Sequence, residues 1–305
     1  MKKIDRRNFI KGSLVATGAA FLSVPLMPKI LKGSIAPSNP DIVTIAGNDP
    51  MSSIELLLAP LGGIRRFVKS GNSVGILVNS PWVHPGTYTS PDVTLAFVKL
   101  AKDAGAEEIV CFKPAREGYW EESRYYEEMK DLIAEIKYAD ERTNVAVPKG
   151  VDLHEIEVFK AFMDIDTFVN IPVAKHHNGT IYSGTLKGLM GVTSSKTNRF
   201  MHSPDGEYTY SKERYLSQCI ADLSTVRKPD LCLIDAIECC TENGPRGPGQ
   251  TVKPNKLVAG IDPVATDVYA AKLMGFEPNE IQTFKFAAAQ GVGNADLAGL
   301  EVLEL

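Results

Sequence analysis

Long hydrophobic runs are missing from this chain. Its most apolar stretch, residues 12–27, contains Gly12, Gly18 and Pro25 and is shorter than the ~20 strongly apolar residues a stable membrane span needs. A polytopic membrane protein is excluded. An excess of either charge is missing too: 33 Lys+Arg stand against 37 Asp+Glu, a formal net charge of −4. That balance argues against general nucleic-acid binding, which needs a clustered cationic surface. Cysteine is sparse. The five residues, at 111, 219, 232, 239 and 240, show neither ferredoxin-type nor zinc-ribbon spacing, so no ferredoxin-type iron–sulfur motif is present. There is no P-loop, no Gly-x-Ser-x-Gly elbow, no His-Glu-x-x-His and no Rossmann glycine fingerprint. Internal repeats and low-complexity tracts are absent as well. With 44% hydrophobic and 23% charged residues over 305 positions, the composition is that of an ordinary globular protein.

The N-terminus reads as an address. Arg6-Arg7-Asn8-Phe9-Ile10-Lys11 precedes the Gly/Ala/Leu-rich stretch, a charged region followed by an apolar one. It resembles a twin-arginine export signal. A single N-terminal membrane anchor is the alternative. No clean small-x-small cleavage site follows, because Pro37 comes directly after Ser34-Ile35-Ala36. Residues 1–40 are therefore read as signal segment and linker, and 41–305 as the folded domain. The signal implies the twin-arginine (Tat) translocase as a partner and a periplasmic or extracytoplasmic location. Such export carries folded proteins, which raises the expectation of a cofactor.

The rest alternates between strand and helix patterns. Short apolar runs at 41–46, 74–79, 108–112, 145–148, 168–172 and 231–236 read as strands. The segment 53–69 has helical spacing, broken by Pro60 and Gly62-Gly63, with Gly71 as its C-cap. Ser90-Pro91 starts a helix that Gly105 ends. Residues 121–138 read as a second amphipathic helix. Asp262-Pro263 opens another, which ends at Gly275. This alternation predicts an α/β fold with a mostly parallel sheet and flanking helices, in two closely packed lobes. Ligands in such sheets sit outside the carboxyl ends of the strands.

The polar residues that could carry chemistry cluster after the apolar strands. Lys175-His176-His177 follows the 168–172 strand. It is either a metal- or anion-binding segment or a solvated loop. The stretch Ser183-Gly184-Thr185-Leu186-Lys187-Gly188 permits close backbone approach to a ligand, with Lys187 as a point charge. The alternative is a tightly packed helix entry. Lys196, Arg199 and His202 keep the region cationic within an acidic protein, which points to an anionic ligand. Asp235 ends a strand, placed for metal binding, base chemistry or a turn cap. The loop Glu242-Asn243-Gly244-Pro245-Arg246-Gly247-Pro248-Gly249 has a fixed shape. Its side chains Glu242, Asn243 and Arg246 are ligand-binding candidates. Asp262 is a helix N-cap, and Asp267 lies five residues into that helix. Cys111 and Cys232 read as core residues. Cys239-Cys240 could form disulfides or ligate metal.

Taken in order, Leu61-Gly62-Gly63, the 74–79 strand, Val169-Asn170-Ile171-Pro172-Val173-Ala174-Lys175-His176-His177, Leu186-Lys187-Gly188-Leu189-Met190-Gly191, Asp235-Ala236-Ile237, Glu242-Asn243-Gly244-Pro245 and Asp262-Pro263-Val264-Ala265-Thr266-Asp267 resemble the DUF362 family, which has no generally assigned activity. The resemblance covers roughly residues 54–280. It implies Asn79, Lys175, His177, Lys187, His202, Asp235, Glu242, Asn243 and Asp267 as site residues. Two positions depart from the family pattern. Leu77-Val78-Asn79 replaces Lys-Pro-Asn, and Lys187-Gly188 replaces Lys-Asn. The four-cysteine module of some relatives is absent.

The resulting expectation is an enzyme acting on a small anionic substrate, with a divalent metal as the candidate cofactor. Lys175, Lys187 and His177 are its candidate catalytic groups, and Asn79, His202, Glu242, Asn243 and Arg246 its substrate contacts. His177, Asp235 and Asp267 are the candidate metal ligands. The competing expectation is a non-catalytic periplasmic protein, redox-associated or ligand-binding, that uses the same pocket. A His177–carboxylate pair would mark catalysis; a cationic pocket without one would mark binding.

Overall fold

The structure, a computed structural model, describes residues 40–205 and 213–305. The twin-arginine segment and nearly all of its linker lie outside the described residues. An eight-stranded sheet organises the chain. Its order is Val302–Glu304, Ile42–Ala46, Lys256–Gly260, Leu231–Ala236, Thr167–Ile171, Ser73–Val78, Glu108–Cys111 and Lys137–Tyr138. Only Lys256–Gly260 runs against the others, pairing antiparallel with both neighbours. The remaining pairings are parallel. The sheet is thus mixed but mostly parallel, and helices flank it.

Alternation along each strand divides the core. Val74, Ile76, Val169, Ile171, Leu231 and Leu233 pack on one face, with the Pro50–Leu58 and Pro91–Asp103 helices. Leu77, Phe168, Ile234 and Val258 pack on the other, with the Glu213–Ser224, Pro263–Leu273 and Gln282–Ala289 helices. This is the period-2 consequence of a sheet buried on both sides. On the second face Phe112, Phe162 and Phe168 meet edge to face at 5.3–6.0 Å. Gly75 makes room for them: a Cβ there would lie 2.4 Å from the Phe112 ring. The described residues form one compact unit with cores on the two faces of one sheet, not the two lobes expected.

Several elements follow the sequence pattern. The Pro50–Leu58 helix gives way to a 3-10 turn at Ala59–Leu61 and a short helix at Ile64–Phe67, breaking at Pro60 and Gly62-Gly63. Asp262 caps the Pro263–Leu273 helix by accepting from Val264 N and Ala265 N. Others differ. Gly71 caps no helix; its N–H donates to the Gly105 carbonyl instead. The helix expected at 121–138 is α-helical only at Tyr126–Ala134, after a 3-10 turn at Trp120–Glu122, and Lys137–Tyr138 joins the sheet edge. The strand near 145–148 runs as Arg142–Ala146, outside the main sheet, paired with Glu155–Phe159. The central Lys256–Gly260 strand was not anticipated. No described helix is long and apolar enough to cross a membrane.

Candidate functional site

At the carboxyl ends of the parallel strands lies a cavity of about 660 Å³, the position expected for ligands in this architecture. The Ser73–Val78 strand delivers Asn79 and Trp82, Glu108–Cys111 delivers Lys113, and Thr167–Ile171 delivers Asn170 and then Lys175 and His177. Lys113, Lys175, Lys187 and Arg246 face one carboxylate, Glu213, among the described lining residues. The local sign is opposite to that of the whole chain.

Lys175 is fully buried beneath this cavity. Its ammonium donates to Asn79 Oδ1 at 3.0 Å, the Thr87 carbonyl at 2.5 Å and the Pro245 carbonyl at 3.3 Å. Burial, and then the charge of Lys187, pulls its pKa well below the ordinary lysine value. Three oxygen acceptors hold the proton in place. All three donors serve the protein, so Lys175 ties the 79–90 loop to the 242–249 loop and supplies the cavity with field, not with a direct contact.

Two histidines meet the cavity in opposite tautomers. His177 Nδ1 accepts from Gly179 N at 3.0 Å, so the neutral ring carries its proton on Nε2. Burial, followed by Lys187 and His202, holds its pKa well below the ordinary value. It offers a donor, and its one lone pair is already used. The His202 ring lies 6.5 Å away, centroid to centroid. Its Nδ1 sits 2.8 Å from the Asn198 carbonyl. A carbonyl only accepts, so this nitrogen is protonated and Nε2 holds the lone pair. Burial, then Lys187, lowers the His202 pKa.

Lys187 reaches the cavity from the one-turn helix Thr185–Gly188. That turn is fixed by Asp267, whose Oδ1 accepts from Thr185 N at 2.6 Å and Oδ2 from Leu186 N at 2.9 Å. Gly184 admits the approach: a Cβ would lie 2.3 Å from Tyr182 Oη and 2.4 Å from Asp267 Oδ1. Half-buried, Lys187 makes no hydrogen bond or ion pair with the described residues. Burial, with help from Lys113, lowers its pKa to about 8.

The expected metal set does not assemble. Among the described residues no group of three or more His, Cys, Asp or Glu side chains is placed to hold an ion. Asp235 spends Oδ2 on Ser90 N at 2.7 Å and Oδ1 on Ile237 N at 3.0 Å. Asp267 spends both oxygens on the Lys187 turn, and His177 Nε2 bears a proton where a metal would need a lone pair. These residues do not fit a divalent cation. Burial raises Asp235 to about 6 and Asp267 to about 7.

The 242–249 loop is docked by its backbone. Gly244 N donates to His176 Nδ1 at 3.1 Å, and Asn178 N donates to the Gly244 carbonyl at 3.1 Å. Asn243 lines the cavity, and Arg246 lies 5.1 Å over the Trp82 ring at the mouth. Glu242 is exposed and absent from the lining; its Oε1 accepts from Gln250 N. Lys113, Trp82 and Asn198 also line the cavity, outside the motifs singled out in the sequence. Lys113 follows its strand by two residues, a signal available from the strand-end rule. Asn198 precedes His202 by four on one helix, the spacing that places both on one face. All five cysteines are free and buried. Burial pushes the Cys111 thiol up to about 12, and no pair forms at Cys239-Cys240.

Fold and cavity define an α/β protein with a basic cleft at the carboxyl edge of a mostly parallel sheet. A twin-arginine translocation signal matches residues 3–23 and marks the chain for export across a membrane. The chain belongs to the family described as Domain of unknown function (DUF362), which matches residues 74–272. A thylakoid-associated protein of Synechocystis sp. is 26% identical over 249 residues, covering 80% of this chain and 75% of that protein. Among solved structures, the lactate racemase apoprotein of Thermoanaerobacterium thermosaccharolyticum superposes with a TM-score of 0.41 at 14% identity, over 63% of this chain and 50% of the racemase. A protein from Thermotoga maritima gives a TM-score of 0.40 at 13% identity, over 80% of this chain and 60% of that one.

Proposed function

We propose that this exported protein binds a small anion in the basic cavity, in the periplasm or an equivalent extracytoplasmic space, with Lys187 as the principal contact. The observation that carries this reading is the ammonium of Lys187, unpaired among the described residues, in a lining where it joins Lys113, Lys175 and Arg246 against the single described carboxylate of Glu213. Lys175 and Lys113 deepen the positive field. His177 adds a neutral Nε2–H donor. Arg246 and Asn243 stand at the mouth. A cavity walled by protein strengthens each of these interactions relative to open water.

Binding without turnover by His177 follows from its hydrogen bond. The ring is paired with a backbone N–H and not with Asp235 or Asp267, so the acid–base pair that would mark catalysis through His177 is not formed. A second reading, an enzyme acting on the bound anion, is favoured by the basic lining of the cavity. Its positive charges would stabilise negative charge developing on a substrate.

The test is calorimetric titration of phosphate, sulfate, oxalate and succinate into wild type and Lys187→Met. The replacement keeps the length and apolar stem of the side chain and removes its charge. We expect at least one anion to bind wild type and its affinity to fall at least tenfold in the variant, with unchanged far-UV circular dichroism. Equal affinities, or no binding by wild type, would sink the proposal.

A further inference from the structure

A buried side-chain oxygen at the cavity has no partner among the described residues. Asn170 is 1% exposed and lines the cavity beside Gly188. Its Nδ2 donates to the Thr185 carbonyl at 2.9 Å. That carbonyl only accepts, so the amide orientation is settled: the nitrogen faces Thr185 and the oxygen is the other atom. Asn170 Oδ1 has no hydrogen-bond partner among the described residues. A Cβ added to Gly188, also in the cavity lining, would lie 3.7 Å from it. A buried acceptor left unpaired is destabilising, and a fold tolerates this where a ligand completes the bond.

We infer that Asn170 Oδ1 reads a hydroxyl group carried next to the anionic group of the ligand, so that the cavity selects hydroxylated organic acids over their unsubstituted counterparts. This deepens the anion-binding reading and rests on it. The surroundings supply donors: the Lys187 ammonium and His177 Nε2–H suit a carboxylate. The unpaired Asn170 oxygen is an acceptor and calls for a donor on the ligand. That donor is a neutral hydroxyl and not an ammonium group, because an amino acid would bring another positive charge among Lys113, Lys175 and Lys187. Asn170 adjoins the turn that presents Lys187, so one ligand can meet both.

The test compares malate, succinate and aspartate by calorimetric titration into the full-length purified protein. These three four-carbon dicarboxylates differ by a hydroxyl, a hydrogen and an ammonium group on one carbon. We expect malate to bind about tenfold more tightly than succinate, the effect of one hydrogen bond to a buried acceptor, and aspartate to bind weakest. In Asn170→Ala the malate-to-succinate ratio should shrink to within about twofold while succinate still binds. The wild-type ranking is a readout that survives should the variant misfold. Succinate binding as tightly as malate in wild type, with both lost in Lys187→Met, overturns the Asn170 inference and leaves the anion pocket standing. A ratio that persists in folded Asn170→Ala also overturns it. No binding of any of the three overturns the inference; if the phosphate, sulfate and oxalate titrations fail too, the anion pocket falls with it.

Discussion

Lys187 and Asp267 show how burial alone changes what a side chain does. Lys187 is held near a pKa of about 8 by desolvation, so its charge is present at neutral pH and is lost on mild alkalinisation. Anion affinity should be steady below about pH 7 and fall roughly tenfold per pH unit well above 8. Titrations from pH 6 to 10 would show this, and Lys187→Met should flatten the profile. Asp267 moves the other way, up to about 7. Its raised value makes the folded state the better proton binder. The associated stability is complete below the unfolded value near 3.8 and is lost as pH rises through about 7. Asp267→Asn stays neutral throughout and costs about 1–3 kcal/mol, because one of the two N–H groups of the Lys187 turn loses its acceptor. The stability advantage of wild type over this variant should therefore shrink from pH 5 to pH 8, measured by urea unfolding at each pH. A gap that widens with pH would show that the two N–H donors keep the carboxylate ionised throughout.

At the scale of elements, the site depends on loops that dock through backbone atoms. The 242–249 loop lies against the Lys175–His177 strand so closely that a Cβ on Gly244 would fall 1.9 Å from the His176 carbonyl oxygen. No side-chain rearrangement relieves that contact, because both partners are backbone. Gly244→Ala should displace the loop, break the Gly244–His176 bond and remove Arg246 from the Trp82 face. The expected result is a loss of at least about 2 kcal/mol in unfolding free energy together with weakened anion binding. The Pro245 carbonyl held by Lys175 moves with the same loop. Unchanged stability and affinity would mean that the loop is not part of the site's support.

For the whole molecule, the thiols are informative. The extracytoplasmic space proposed for this protein would be oxidising, yet all five cysteines are buried and unpaired. Folding before translocation, as the twin-arginine route implies, would shield them from oxidation. Native protein should react with no more than one equivalent of a thiol reagent such as Ellman's reagent. The same protein in denaturant should show five reactive thiols, and the melting temperature should be indifferent to reductant. Fewer than five thiols after unfolding would show that a disulfide forms after all.

The export signal, the α/β class and the chain segments that line the cavity are legible in the sequence. Those features are written in local pattern: paired arginines before an apolar stretch, period-2 runs, Ser-Pro and Asp-Pro helix starts, and polar residues just past strand ends. Strands short in sequence escaped it. Lys256–Gly260 and Val302–Glu304 are strands because of their neighbours in the sheet, and Lys137–Tyr138 left a helical pattern to pair with Val110 and Cys111. Only the tertiary structure decided what each polar side chain does. Asp235 and Asp267 became backbone acceptors, Lys175 a tie between loops, and His177 a fixed donor, while Lys187 was left without a partner among the described residues. A residue type names the chemistry it can do. Which lone pair or proton remains available depends on partners tens to hundreds of residues away, such as Asp267 on Thr185 or Pro245 on Lys175, and no local pattern encodes them.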